Sequence, residues 1–230
     1  MIIRSTRGTA YVEFIIVIVP FMVLFLGLAQ LGLIISADIL VKHAAVKAAR
    51  AAIVVLPDDS ENADYAGVEL NKIGSGGDAL DEYKNSKDSG RYETIRKAAR
   101  YTLAPISPKI KNLVKEGTLM DAMDTGFAST MTGIGLVTDK TVALSFPAKD
   151  GGYKSIFSPT EDVTAQVTFL FQCQVPVAKS IMCKPYRKID KEMKKLLDLK
   201  GRIMGVSAIN SGLEYVGLQS QATLPNQGRK

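Results

Sequence analysis

One uninterrupted apolar run, from Phe14 to Ala37, dominates the hydrophobic pattern of the chain. The run contains no Asp, Glu, Lys, Arg or His, and Gln30 and Ser36 are its only clearly polar side chains. As a helix, a run of this length can cross the hydrocarbon layer of a bilayer, which is about 30 Å thick. The pattern therefore predicts a transmembrane segment at about residues 14–37.

The apolar run belongs to a longer segment, from Thr9 to Leu56, that ends before Pro57. Pro20 is its one strong helix breaker, and it should kink the helix because it removes one backbone hydrogen bond. We predict a single long helix at residues 9–56, transmembrane in its first half. An alanine-rich stripe in the second half can pack on the protein's own domain, on other subunits, or on both. Its members are Ala44, Ala45, Ala48, Ala49, Ala51 and Ala52.

Apolar and polar side chains alternate strictly from Val163 to Val175, which predicts a β-strand with one buried face. Residues 57–90 are polar and rich in Gly, Ser and Asp, a composition typical of loops. The other predicted elements are two strands and two helices, at Thr141–Pro147, Leu213–Leu224, Glu93–Leu103 and Lys184–Lys200. The predicted fold class is therefore α+β: the long N-terminal helix, then a domain at residues 57–230 with a small antiparallel sheet and flanking helices.

The charges that flank the apolar run predict its orientation in a membrane. Arg4 and Arg7 precede the run and Asp38 follows it. Because the positively charged flank stays in the cytoplasm, the domain should lie in the periplasm of a bacterium or outside the cell. In such an oxidising compartment Cys173 and Cys183, the only two cysteines, can form a disulfide. Two unpaired buried thiols are the alternative.

The net charge of +6 equals the charge of one segment, Lys179–Arg202, which has nine Lys or Arg and three carboxylates. In an exported protein such a segment does not indicate nucleic-acid binding. It is either a solvated helix face or a contact with anionic headgroups, a partner subunit or a target cell surface.

The stretch RGTAYVEF, at residues 7–14, resembles the processing site of type IV prepilins. In that family a short basic leader ends in glycine, the cut follows the glycine, and the fifth residue of the mature helix is glutamate. The match is closer to the TadE-like pseudopilins of Tad (Flp-type) pilus systems. In those proteins an alanine- and arginine-rich helix follows the apolar run, and the stretch VKHAAVKAARAAIVV of this chain resembles that helix. The resemblance covers about residues 4–56. It implies a leader at Met1–Gly8, a cut between Gly8 and Thr9, and an assembly role for Glu13.

A minor pilin of this kind is not an enzyme and needs no cofactor or metal. Its partners would be other pilins through the N-terminal helix, a prepilin peptidase and the inner-membrane assembly platform. The cut would create an ammonium group at Thr9 that can pair with Glu13 of a neighbouring subunit. The pair would offset desolvation and fix the axial stagger of the helices. In a simple membrane anchor, Glu13 would instead reach the headgroups.

Two other functional classes stay open at the level of sequence. One is a single-pass, membrane-anchored periplasmic binding or scaffold protein unrelated to pili, which would keep its leader. The other is an exported enzyme, for which the sequence offers no catalytic constellation. His43 is the only histidine and is expected to be a polar helix residue. Residues 58–69 have a calcium-loop-like spacing of acidic and polar residues, but Ala63 stands where such a loop requires glycine.

Overall fold

Our computed structural model describes residues 7–57, 70–73, 90–107, 142–148, 152–185 and 214–226 of the chain. Three helices are present in this part: α1 (Arg7–Val55), α2 (Gly90–Leu103) and α3 (Ala178–Met182). A 3-10 turn at Ala104–Ile106 follows α2. The four strands are β1 (Val142–Ser145), β2 (Asp162–Gln172), β3 (Lys184–Pro185) and β4 (Glu214–Pro225). This arrangement confirms the predicted α+β fold with a long N-terminal helix.

The sheet has the strand order β1-β2-β4-β3, and each neighbouring pair is antiparallel. β2 is central and pairs with β4 along its whole length, from Asp162 opposite Pro225 to Gln172 opposite Tyr215. The alternation in the sequence predicted the inward face of β2 correctly as far as Cys173, and its members up to there are buried, whereas Val175, which lies past the end of the strand, is only half-buried. The buried members are Val163, Ala165, Val167, Phe169, Phe171 and Cys173.

The prediction of a single buried face on β2 is wrong for its second half. Gln166, Thr168, Leu170 and Gln172 belong to the other face, and they are also buried. β2 has a strand on each side, so its polar side chains lie among those of its neighbours. The Ser145 hydroxyl, for example, lies 3.1 Å from Oε1 of Gln166 in a buried hydrogen bond between β1 and β2.

The second half of α1 packs against β2 and β4, and α2 packs against α1. Five alanines of the predicted stripe are fully buried in this core: Ala44, Ala45, Ala48, Ala49 and Ala52. Small side chains allow the helix backbone to approach the sheet closely. The stripe therefore packs on the protein's own domain. On α2, Tyr92, Ile95, Ala99 and Leu103 recur every three or four residues and are buried, as the helical period requires.

β2 runs antiparallel to α1. Near the end of the strand, the amide of Val175 donates a hydrogen bond to the Gln30 side chain. At the opposite end, the amide of Asn71 donates to the carbonyl of Leu56, and that of Phe157 donates to Asn71, each at 2.9 Å. From Gln30 to Val55 the helix rises about 38 Å. The sheet therefore lies alongside nearly all of this half of the helix.

The helix predicted at Lys184–Lys200 does not begin at Lys184. Lys184 and Pro185 form β3, paired with Tyr215 and Glu214 of β4. A disulfide holds the preceding Cys183 at the end of β2. Lys184 and Pro185 therefore lie beside β4 in an extended conformation. The rest of this predicted helix, the Asp58–Glu69 loop and most of the predicted loop region 57–90 lie outside the described residues.

Candidate membrane and assembly segment

The first half of α1, Tyr11–Ala29, is not covered by the domain, and we call it the bare part of the helix. From Tyr11 to Ala29 no side chain is buried, and most of the large apolar side chains are exposed to solvent in the isolated chain. At 1.5 Å per residue this stretch is about 28 Å long, close to the thickness of the hydrocarbon layer. The helix is long and apolar enough in this part to cross a membrane. This part of the chain can therefore serve as a membrane anchor.

The contact between α1 and the domain begins at Gln30. Its side chain is fully buried, and Oε1 accepts a hydrogen bond from the backbone amide of Val175 at 3.1 Å. Over the next turns, Ala37 is buried against the domain while Leu33 and Ile35 on other faces are exposed. The membrane span at 14–37 remains a prediction. In the structure, the last turns of this span, from Gln30 onward, also contact the domain.

Sequence reasoning missed the contact between Gln30 and Val175. The sequence does contain a signal for this contact, because Gln30 is a lone amide in an otherwise apolar run. An amide in an apolar environment needs a hydrogen-bond partner, because leaving it unpaired is unfavourable. The partner comes from a loop 145 residues further along the chain.

The predicted processing residues lie at the start of α1, and Glu13 and Pro20 lie on its bare part. Gly8 and Thr9 fall within the helical backbone, which starts at Arg7. Glu13 is exposed, and its carboxylate makes no ion pair with any described side chain. Pro20 lies inside the helix, which continues on both sides of it. Glu13 is therefore accessible to a group outside this chain, and the cut after Gly8 and the kink at Pro20 remain predictions.

The structure contains the expected disulfide between Cys173 and Cys183, with the two Cα atoms 6.5 Å apart. Both cysteines are buried. The bridge joins the end of β2 to the start of β3 and encloses Val175 together with the short helix α3. The loop that meets Gln30 is thus closed at its base by a covalent bond.

The charged groups on α2 form a structural cluster. Both carboxylate oxygens of Glu93 accept hydrogen bonds, one from Arg96 at 3.2 Å and one from Arg100 at 3.1 Å. Burial and the positive charge of Arg96 lower the pKa of Arg100. Burial also raises the pKa of Tyr92 to about 12, and its hydroxyl donates to the carbonyl of Leu144. The ion pairs of Glu93 lie within α2, and the hydrogen bond of Tyr92 ties α2 to β1.

Metal-ligating groups do not converge in the described part of the chain, which holds no cluster of three or more His, Cys, Asp or Glu side chains that could bind an ion. His43 is exposed on α1, as expected for a polar helix residue. The chemistry that remains distinctive is that of α1: a bare apolar surface, one accessible carboxylate near its start, and a buried amide where the domain begins.

The model of the TadE-like protein family matches residues 8–50, a segment that runs from Gly8 into the alanine-rich stripe. Over these 43 of its 230 residues the chain is similar to TadE-like proteins. No curated protein and no solved structure matches the chain. The matched residues include the bare segment, Glu13, Pro20 and Gln30.

Proposed function

We propose that this protein is a minor pilin of a Tad-type pilus. It is inserted in the bacterial inner membrane with its N-terminus in the cytoplasm, and a prepilin peptidase cuts it between Gly8 and Thr9. The mature protein then joins other pilins at the assembly platform, and it performs no catalysis. One observation carries this proposal: the segment matched by the TadE-like model contains the part of α1 that the protein's own domain leaves bare.

Glu13 supports the proposal through its position. It lies near the cytoplasmic start of the bare segment, four residues after the ammonium group that the cut would create at Thr9. A charged carboxylate deep in a bilayer is unfavourable by roughly 2.5–3.5 kcal/mol on insertion scales. In the lone subunit the exposed Glu13 side chain can reach the headgroups, so this penalty is avoided. In a bundle of pilin helices, the ammonium group of a neighbour offsets the desolvation of Glu13 instead.

The domain is suited to follow the helix into a fibre. Its core includes the alanine stripe of α1, so helix and sheet form one hydrophobic core. The remaining faces of α1 near Gln30 carry exposed apolar side chains, including Leu31, Leu33, Ile35 and Ile39. These side chains extend the bare surface past the start of the domain. Neighbouring pilins can therefore pack along α1 beyond the membrane-spanning part.

Processing is the first experiment. Mass spectrometry of the protein purified from membranes should give a chain that starts at Thr9 when an active prepilin peptidase is present. Gly8→Leu should block the cut, because the bulkier side chain hinders the peptide bond next to it. Gly27→Leu is a matched control, since a Cβ atom added at Gly27 meets no atom within 4 Å. An intact Met1 start in the wild-type protein would favour a membrane-anchored binding or scaffold protein over a pilin.

Assembly is the second experiment. Glu13→Val should still insert in the membrane, be cut and form the disulfide, but it should fail to crosslink to partner pilins. Removing one member of a buried charge pair is typically unfavourable by about 3–5 kcal/mol, a loss large enough to abolish incorporation. Phe14→Val is the control for the loss of an exposed side chain at the next position. Equal crosslinking and normal pili from the Glu13→Val protein would contradict the pilin assembly mechanism.

A further inference from the structure

The disulfide-closed loop at residues 173–183 carries an apolar surface that the described part of the chain leaves exposed. Val177 is 50% exposed, Ile181 is 70% exposed and Met182 is 36% exposed. Val177 also has a φ of 66°, a conformation that β-branched residues rarely adopt. The disulfide closes the base of this loop, so its apolar side chains are displayed on a constrained scaffold.

The loop lies where the bare half of α1 ends. Val175, within the loop, donates its amide to the Gln30 side chain, and Gln30 is the first buried residue of α1. Helix α3, at Ala178–Met182, also contacts α1. The opposite end of the domain lies near Leu56, about 38 Å further along the helix. If Tyr11–Ala29 fills the hydrocarbon layer, the loop is therefore at the membrane surface.

The charge of the loop suits that location. Residues 173–185 contain two lysines, Lys179 and Lys184, and no carboxylate. Lys184 is exposed and Lys179 is half-buried. Apolar side chains next to lysines are the composition of elements that lie in the interface between water and lipid, where cations meet anionic headgroups. The exposed apolar side chains continue the apolar surface of α1.

We propose that this loop is a membrane-contacting foot, which inserts Val177, Ile181 and Met182 into the headgroup boundary on the domain's side of the bilayer. Lys179 and Lys184 bind lipid phosphates. The foot gives the domain a second point of attachment beside α1, so it sets the orientation of the domain before the subunit is assembled. The proposal rests on the membrane anchorage of α1, which is part of the proposed function.

The chain contains no tryptophan, so single tryptophans can report the depth of chosen positions. Three variants of the full chain are needed: Ile181→Trp in the foot, Ile156→Trp at the far end of the domain, and Leu24→Trp in the bare segment. The replaced side chains are 70%, 59% and 61% exposed, so each position tolerates a larger ring. Each variant is reconstituted in vesicles of phosphatidylethanolamine and phosphatidylglycerol that carry brominated acyl chains, which quench tryptophan on contact.

We expect strong quenching at position 24, intermediate quenching with a blue-shifted emission at position 181, and little quenching at position 156. Quenching at 181 no greater than at 156, with position 24 strongly quenched, would overturn the foot while leaving the anchor intact. Such a result would favour a protein partner for this surface. No quenching at position 24 would overturn the anchor and the foot together. Replacing phosphatidylglycerol with phosphatidylcholine should weaken quenching at 181 and leave that at 24 unchanged, because only the foot depends on anionic headgroups.

Discussion

The two halves of α1 use apolar residues for different environments. From Tyr11 to Ala29 the side chains are mostly large and exposed, whereas the buried stripe from Ala44 to Ala52 consists of alanine. A lipid-facing surface needs apolar area and no close fit, so Phe, Leu, Ile and Val suffice. A surface that meets a sheet must admit another backbone, so small side chains are required. The size of the apolar residues therefore distinguishes the two halves, in addition to their hydropathy.

Truncating one phenylalanine in each region gives the strongest test of this difference between the two halves. Phe169→Ala on β2 should lower the free energy of unfolding by about 3–5 kcal/mol, because Phe169 is fully buried and the change leaves a cavity. Phe21→Ala, at a side chain 59% exposed on the bare half, should change it by less than about 0.5 kcal/mol. Denaturant unfolding of the full chain in detergent micelles, followed by near-ultraviolet circular dichroism, measures both. Similar losses would mean that the bare half also packs on the domain.

The disulfide tests the boundary between the two regions. Replacing Cys173 and Cys183 together with serine should lower the free energy of unfolding by roughly 2–3 kcal/mol, the value expected from loop entropy for a short loop. The loop that contacts Gln30 would lose its covalent closure while the bare half is unaffected. The same unfolding experiment under reducing and non-reducing conditions checks this. If the reduced wild-type protein matches the oxidised one in stability, the bridge does not constrain the loop.

These two predictions concern features that the sequence revealed to different extents. Hydropathy and the helical period predicted α1 and α2, and strict alternation predicted the inward face of β2, because each is a local pattern. The burial of Gln166 and Thr168 and the partner of Gln30 depend on strands and loops far away in the sequence. Lys184 was assigned to a helix by its local pattern, but pairing with Tyr215 makes it extended. Tertiary contacts decided the outcome at each of these positions.

The alanine stripe tests the role of side-chain size directly. Ala48→Leu should lower the free energy of unfolding by about 1–3 kcal/mol, because the added carbons overfill a fully buried position. Ala29→Leu makes the same change at an exposed position on the bare half and should be close to neutral. The pair is compared by thermal unfolding in micelles. A neutral Ala48→Leu variant would show that helix and sheet are not closely packed at this level.

The smallest effect concerns Tyr92, which ties α2 to β1 on the packed side of the molecule. Tyr92→Phe removes the hydrogen bond to Leu144 and should lower the free energy of unfolding by about 1 kcal/mol at neutral pH. The pKa of Tyr92 is raised from 10.0 to about 12, so the folded state keeps a proton that the unfolded state has lost between these values. Its contribution to stability is therefore complete below pH 10 and disappears as the pH rises through about 12.

Consequently, the stability of the wild-type protein should fall more steeply than that of the Tyr92→Phe variant over this pH range. Tyr215, whose pKa burial also raises to about 12, is present in both proteins and cancels in the comparison. Unfolding free energies measured at several pH values between 9 and 12 check the difference in slope. Parallel curves for the two proteins would indicate that Tyr92 ionises as readily in the folded state as in the unfolded chain.

The antiparallel alignment of β2 with α1 has a mechanical consequence. The domain is tied to the helix near both ends, by Gln30 with Val175 and by Leu56 with Asn71. A force that pulls α1 along its axis acts as shear on a contact about 38 Å long, so resistance is shared by many side chains at once. β2 and β4 pair over eleven residues, and the hydrogen bonds of an antiparallel ladder are perpendicular to the strands, so the same pull loads them together and does not open them one after another. If the proposed assembly draws the helix out of the bilayer, the domain should therefore move with it at a fixed offset, without the slack that a flexible tether would introduce.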